Sequence, residues 1–193
     1  MRDKYKLHPT SGHTCDDVEW FMLAKYGGLT QKHYRHELSI DVIEALSTAR
    51  DALENEELSA DQVSAIISRP IAEVREELFY CFVSDESLPV CTWAAFWGNT
   101  ADTFDTFAVV RNGETVSRAW SVRLNDQAAE IAVETKEGHR RKGYGKQVVC
   151  AWIRHQLTLG KVPFYAHRKY NLQSKALAES LGAFMFADVT SYQ

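Results

Sequence analysis

The sequence is short of several things, and each shortage removes a class of protein. It has only four cysteines, Cys15, Cys81, Cys91 and Cys150, with no C-x-x-C pair among them. That spacing is neither a disulfide framework nor a zinc module, and it fits a reduced, cytoplasmic protein. No run of about 18 apolar residues is present, so no membrane-spanning helix is expected. The opening stretch, residues 1–17, carries charges but no apolar core of a secretory signal. There is no internal repeat, no low-complexity tract, and no G-x-S-x-G, H-E-x-x-H or EF-hand pattern. His33 and His36 could share a helix face, but no third ligand lies near them, so no metal site is expected.

What is present is a core. Of 193 residues, 45% are hydrophobic and 11% aromatic, which argues against disorder and for one packed core with a small appendage. The net charge of −4 is unevenly spread. Residues 1–100 hold 17 acidic and 9 basic residues, while residues 101–193 hold 9 acidic and 13 basic. A basic second half suits an anionic ligand, and it also falls within ordinary fluctuation along a chain.

The first hundred residues read as a mainly helical region. Thr14, with Asp16 and Asp17 in the first turn, predicts a helix stopped by Gly27 and Gly28. Ser39 predicts a second helix to about residue 53, and the Ser59–Gln62 capping box a third. Pro70 predicts a fourth through about Leu78. Trp93, Phe96 and Trp97 form an aromatic cluster that either packs this half on a sheet or walls a ligand pocket.

The period then changes. Residues 107–111, the turn Asn112-Gly113, residues 115–123, the turn Asn125-Asp126 and residues 128–135 read as a three-stranded antiparallel meander. A helix comes next whose buried face is Val148, Val149, Trp152, Ile153 and Leu157, ended by Gly160. Cys150 on that helix reads as a core residue. Residues 162–167 form a strand, Asn171 caps a helix through Leu177 and Leu181, and residues 184–189 form a last strand.

Between the meander and the helix stands His139-Arg140-Arg141-Lys142-Gly143-Tyr144-Gly145-Lys146. Gly143 and Gly145 allow a ligand to approach the backbone, and the helix's first N–H groups point at it. With four cationic side chains alongside, this is a pyrophosphate cradle. It is not a P-loop, because Gln147 replaces the hydroxyl residue, and not a dinucleotide fingerprint, because Val148 replaces the third glycine. A nucleic-acid patch would bring more basic residues or a reader module, so nucleic acid is not the expected partner.

Arg140-Arg141-Lys142-Gly143-Tyr144-Gly145 resembles the R-x-x-G-x-G/A loop of the GNAT superfamily of acetyl-CoA-dependent N-acetyltransferases. Asn171-x-x-Ser174 followed by Gly182 and Phe184 resembles that superfamily's next segment, at its usual distance. The likeness spans about residues 105–190. It implies a mixed α/β (α+β) fold with a largely antiparallel sheet, splayed central strands and flanking helices. Residues 1–100 would supply the first part of the fold or a cap over the substrate, and residues 101–193 the acetyl-CoA-binding core. Acetyl-CoA is the implied co-substrate, with no metal and no membrane. Val133 and Thr135 would supply main-chain groups to the pantetheine arm. Arg140, Arg141, Lys142, Gly143, Tyr144, Gly145 and Lys146 would hold the pyrophosphate, with Asn171 and Ser174 facing the cofactor.

The implied chemistry is attack by a neutral primary amine on a thioester, assisted by a carboxylate. Glu130 and Glu134 are the candidates, and Glu130 lies nearer the family's usual position. The proton donor to the departing thiolate is normally a Tyr at the place held here by Ala178. Tyr165, His167 and Tyr170 are the substitutes. The acceptor is expected to be a small-molecule amine, with a protein amine as the alternative. Many members of the superfamily pair as homodimers. A non-catalytic acyl-CoA sensor is the rival reading.

Overall fold

A computed structural model describes residues 6–8, 12–15, 20–35, 37–53, 57–99 and 104–193. Among them are eleven strands and four α-helices. The chain divides into two compact units: Arg2–Leu78 with Ala187–Gln193, and Phe79–Phe186.

The first unit contains β1 (Lys6–His8), β2 (Gly12–Cys15), β3 (Phe21–Tyr26) and β4 (Leu29–Arg35), followed by helices α1 (Ile40–Asp51) and α2 (Ala60–Ile67). Its sheet order is β1-β2-β4-β3, with the end of β11 (Phe184–Tyr192) alongside β3. The first expected helix is therefore a hairpin. Phe21, Met22, Leu23 and Ala24 are all buried, so this strand has apolar neighbours on both faces. A short apolar run of that kind carries no period to separate strand from helix. Gly27 and Gly28, at φ 55° and 80°, form its two-residue turn, with Tyr26 opposite Leu29. Thr14 lies in β2, while Asp16, Asp17 and His36 lie outside the described residues. His33 is a buried residue of β4.

The next two expected helices are found. The Ser39 hydroxyl caps α1, and Ser59 and Gln62 form the reciprocal capping box of α2. Ser59→Ala is expected to cost about 1 kcal/mol of stability, read from the denaturant midpoint of the transition that melts α2. The helix expected from Pro70 is absent. The amides of Ala72 and Glu73 donate instead to the Gln193 carbonyl, and the chain enters β5 (Val74–Cys81). The core here is Phe21, Leu23, Tyr34, Ile43, Leu46, Leu58, Val63, Ile67 and Tyr192. The Tyr192 hydroxyl donates to the Leu58 carbonyl at 2.5 Å.

The second unit carries β6 (Ala95–Gly98), β7 (Phe104–Arg111), β8 (Glu114–Leu124), β9 (Ala128–Thr135), α3 (Tyr144–Thr158), β10 (Val162–Arg168) and α4 (Leu172–Ser180). Its strand order is β10-β9-β8-β7-β6, antiparallel except for the β9–β10 pair. The meander, both turns and both helices stand where the sequence places them. Asn112 and Gly113 take φ 52° and 79° in the β7–β8 turn. Helix α3 packs on β7, β8 and β9 through Val148, Val149, Trp152 and Ile153, all essentially inaccessible. Leu157 is only half-buried; Gln156 takes the inner position, its amide donating to Asp105 at 2.9 Å. Among the described residues no helix is long and apolar enough to cross a membrane, and no group of three or more His, Cys, Asp or Glu could hold a metal ion.

Candidate functional site

Two neighbouring strands that part company create the candidate site. β9 and β10 run parallel and pair over only three positions: Ala128 with Val162, Ala129 with Pro163, and Glu130 with Phe164. Beyond Glu130 the register ends, although both strands continue, to Thr135 and Arg168. On its other side β9 stays paired with β8 as far as Ser117–Thr135. The Lys136 amide donates to the Val116 carbonyl on β8. Main-chain groups alternate along a strand, so those of Val133 and Thr135 face the other way, into the gap. The Thr135 carbonyl there accepts from Arg140 Nε at 3.2 Å.

At the wide end of the gap lies the N-terminus of α3. Gly143 is its N-cap at φ 82°, and no side chain caps the helix. The first-turn N–H groups have no partner within a helix by construction, so here they remain available to an external acceptor. Gly145 sits against β9: a Cβ on it would lie 3.2 Å from Thr135 Oγ1. Thr135 Oγ1 in turn lies 2.8 Å from Ser117 Oγ, which fixes it. The glycine spacing thus serves both the helix turn and the close approach of helix to strand.

The cations divide. Lys142 Nζ donates to the Gly138 carbonyl at 3.0 Å, folding over the loop. Lys146 Nζ donates to the Ser180 carbonyl at 2.9 Å, at the far end of α4. Arg141, at φ 59°, is exposed. Tyr144 packs sideways: its ring meets Trp93 edge-on at 5.6 Å, and the Arg111 guanidinium lies 5.2 Å from the centroid of each ring. Trp93 is the end of a strap, residues 85–93, that crosses the outer face of α3. Gln147 Oε1 accepts from the amides of Thr92 and Trp93, and its Nε2 donates to the Val90 carbonyl. This strap has no signal in the sequence beyond the polar character of Gln147 and Arg154. Phe96 packs on Phe107 and His155, and Trp97 is exposed.

The two candidate bases share one face of β9, opposite Ala129 and Ile131, which are buried. A bulge lies beside them, on β8. Ser121 faces Ile131 and Arg123 faces Glu130, so Val122 is the extra residue and β9 keeps its alternation. Glu130 is ion-paired with Arg123 at 2.6 Å, its side chain 18% exposed. Glu134 is 58% exposed and is held by Arg118 through two nitrogens, at 2.9 and 3.0 Å. Only Glu130 stands at the position where β9 and β10 separate.

The candidate acids lie on the other wall. Tyr165 is buried on the first residue of β10 beyond its pairing with β9. Burial pushes its hydroxyl above the ordinary phenol value, and a hydrogen bond with Ser174 partly offsets this. The phenol therefore stays protonated through neutral pH. His167 is also buried; its Nδ1 lies 2.8 Å from the Arg168 carbonyl, which makes Nδ1 the protonated nitrogen. Tyr170 is 78% exposed. Asn171 Oδ1 caps α4, accepting from the Ser174 amide at 3.1 Å. Ala178 is fully buried in α4.

The family model for GNAT acetyltransferases matches residues 33–193. The chain belongs to the GNAT acetyltransferase family. The match reaches well upstream of the segment whose motifs carry the likeness, so the GNAT family includes β5–β7 and most of the N-terminal unit. No curated protein matches. Among solved structures, a GNAT-family acetyltransferase from Novosphingobium aromaticivorans is 18% identical at a TM-score of 0.55. That alignment covers 63% of this chain and 65% of the other, just under two thirds of its length. A GNAT acetyltransferase from Colwellia psychrerythraea is 14% identical at TM-score 0.55, covering 93% of this chain and 79% of the other. A tandem GNAT protein from the clavulanic acid biosynthesis pathway is 10% identical at TM-score 0.53, covering 95% and 75%. At such identities the likeness is one of fold: a mixed α/β architecture with a largely antiparallel sheet.

Proposed function

We propose that this protein is an acetyl-CoA-dependent N-acetyltransferase acting on a primary amine of a small molecule. The observation that carries the reading is the coincidence of two features. A strand loses its parallel neighbour just where an uncapped, glycine-started helix points its amides. An extended acyl-pantetheine arm needs main-chain partners, and Val133 and Thr135 have theirs facing the gap. Its pyrophosphate needs donors and positive potential, which the first turn of α3, Arg140, Arg141 and Lys142 supply. Gly143, Tyr144, Gly145 and Lys146 shape that turn, and Lys146 also ties it to α4. Asn171 and Ser174 define the opposite wall. The residues present fit the group.

Bound acetyl-CoA would supply a thioester carbonyl open to nucleophilic attack. The chain's task is then to take a proton from the amine and to give one to the thiolate. An alkylamine is mostly protonated at neutral pH, so a base is required. Glu130 is placed for it, held in one orientation by Arg123. Glu134 is the second carboxylate of the same face. Tyr165, protonated and on the opposite strand, is the proton donor that stands in for the Tyr replaced by Ala178. Tyr165→Phe is expected to slow thiol release about tenfold while leaving acetyl-CoA affinity unchanged, because the ring's packing is kept.

The direct test is a calorimetric titration with acetyl-CoA, followed by a panel of small amines read by thiol release. Saturable binding with amine-dependent release supports the reading. Binding without release from any amine favours the sensor. No binding overturns both. A homodimer, cytoplasmic residence and the absence of a nucleic-acid partner complete the proposal.

A further inference from the structure

Two of the thiols that the acetyl-transfer reading leaves unused lie together. Helix α3 presents Gln147, Cys150 and Arg154 at successive turns, and the 85–93 strap lies over them in register. Gln147 binds the strap at Val90, Thr92 and Trp93. Arg154, seven residues on, donates to the carbonyls of Leu88 at 2.8 Å and Pro89 at 2.9 Å. Cys91 stands between these anchors, its Sγ 3.0 Å from Arg154 Nη1, and Cys150 stands between the two helix residues that make them. The Cys91 thiol is close enough to Cys150 to raise the Cys150 thiol's pKa. Both are free, Cys91 half-buried and Cys150 fully buried.

We propose that Cys91 and Cys150 are an oxidant-responsive pair that closes to a disulfide in the native fold and staples the strap to α3. The oxidant is a peroxide. It transfers one oxygen to the Cys91 sulfur; its O–O bond breaks, the first water leaves, and Cys91 becomes a sulfenic acid. The Cys150 sulfur then attacks the Cys91 sulfur. The S–O bond breaks, and the departing hydroxide takes the Cys150 proton and leaves as the second water. Two thiols are oxidised by two electrons, and one peroxide is reduced to two waters.

The order is set by position. Burial, and then the neighbouring Cys91, pushes the Cys150 thiol up to about 12, so Cys150 is not the residue that meets an external oxidant. Cys91 has the exposure and is oxidised first. Around Cys91 the strap is held in the reduced protein by hydrogen bonds to Gln147 and Arg154, which open individually. Closing the disulfide removes that freedom next to Trp93, the residue that touches Tyr144 of the cradle.

The test treats the purified full chain with hydrogen peroxide and maps peptides without reduction. A Cys91–Cys150 linked peptide, two hydrogens lighter than the pair of thiol peptides, is expected. The Thr92 and Trp93 amides should exchange on the order of tenfold more slowly in the linked protein. In Cys150→Ala, dimedone should label Cys91 and no link should form. Cys91→Ser guards against a folding defect from the buried substitution: its Cys150 should stay unmodified. A link to Cys81 or Cys15 instead overturns the proposal. So does Cys91 oxidised without a link in folded wild type, or a Cys91–Cys150 link that leaves the strap amides unchanged.

Discussion

Gly143→Glu should reduce acetyl-CoA affinity by at least about 100-fold, to the point where calorimetry records no binding. Three effects act in one direction. Gly143 holds φ 82°, a conformation that costs an L-residue about 1–2 kcal/mol. It is the N-cap of α3, so a carboxylate there sits where the helix would otherwise attract an anion. The same carboxylate competes for the first-turn amides. Crowding is not among the effects, because a Cβ at Gly143 meets no atom within 4 Å. Gly143→Ala separates the terms: strain remains, charge does not, and the loss should be about fivefold to tenfold. If Glu and Ala weaken binding equally, the amides of α3 are not what holds the phosphates.

Glu130→Gln should lower the rate of thiol release about 100-fold to 10,000-fold and leave acetyl-CoA affinity within about twofold. Glutamine keeps the size and can still accept from Arg123, so the strand pairing at Phe164 survives. What is lost is the capacity to take a proton at the apex of the gap. Glu134→Gln is the internal comparison. Glu134 is exposed and points its carboxylate at Arg118, so its loss should change the rate only a few-fold. Equal losses from both variants would mean that the face as a whole, rather than Glu130, sets the rate. Raising the pH should partly rescue Glu130→Gln, because a larger share of the amine is then neutral without help.

The second half of the fold was legible because its signals are local. Asn112-Gly113 specifies a turn, residues 128–135 alternate cleanly, and each helix there has a glycine or asparagine at an end. The loop before α3 was legible for the same reason: its glycines and cations stand in eight consecutive residues. The first hairpin was not. Phe21–Ala24 is buried on both faces, and its partner on one side is residues 188–192, far away in sequence. Pro70 was misleading because the amides of Ala72 and Glu73 bond to Gln193 rather than within a helical turn of their own. Where β9 and β10 separate, no residue marks the event; it is a property of two strands read together. The strap over α3 was hidden because Gln147 and Arg154 look like a solvated face until the main chain that satisfies them is seen.

The location of β11 has a consequence for how the protein is made. The ribosome delivers Phe21 and Tyr34 early, yet the ring of Tyr192 stacks on Phe21 at 5.7 Å and closes the same core. Until residues 188–192 are made, the β3–β4 hairpin therefore has one edge and part of its apolar face uncovered. A core begun at Phe21 is thus closed only by β11.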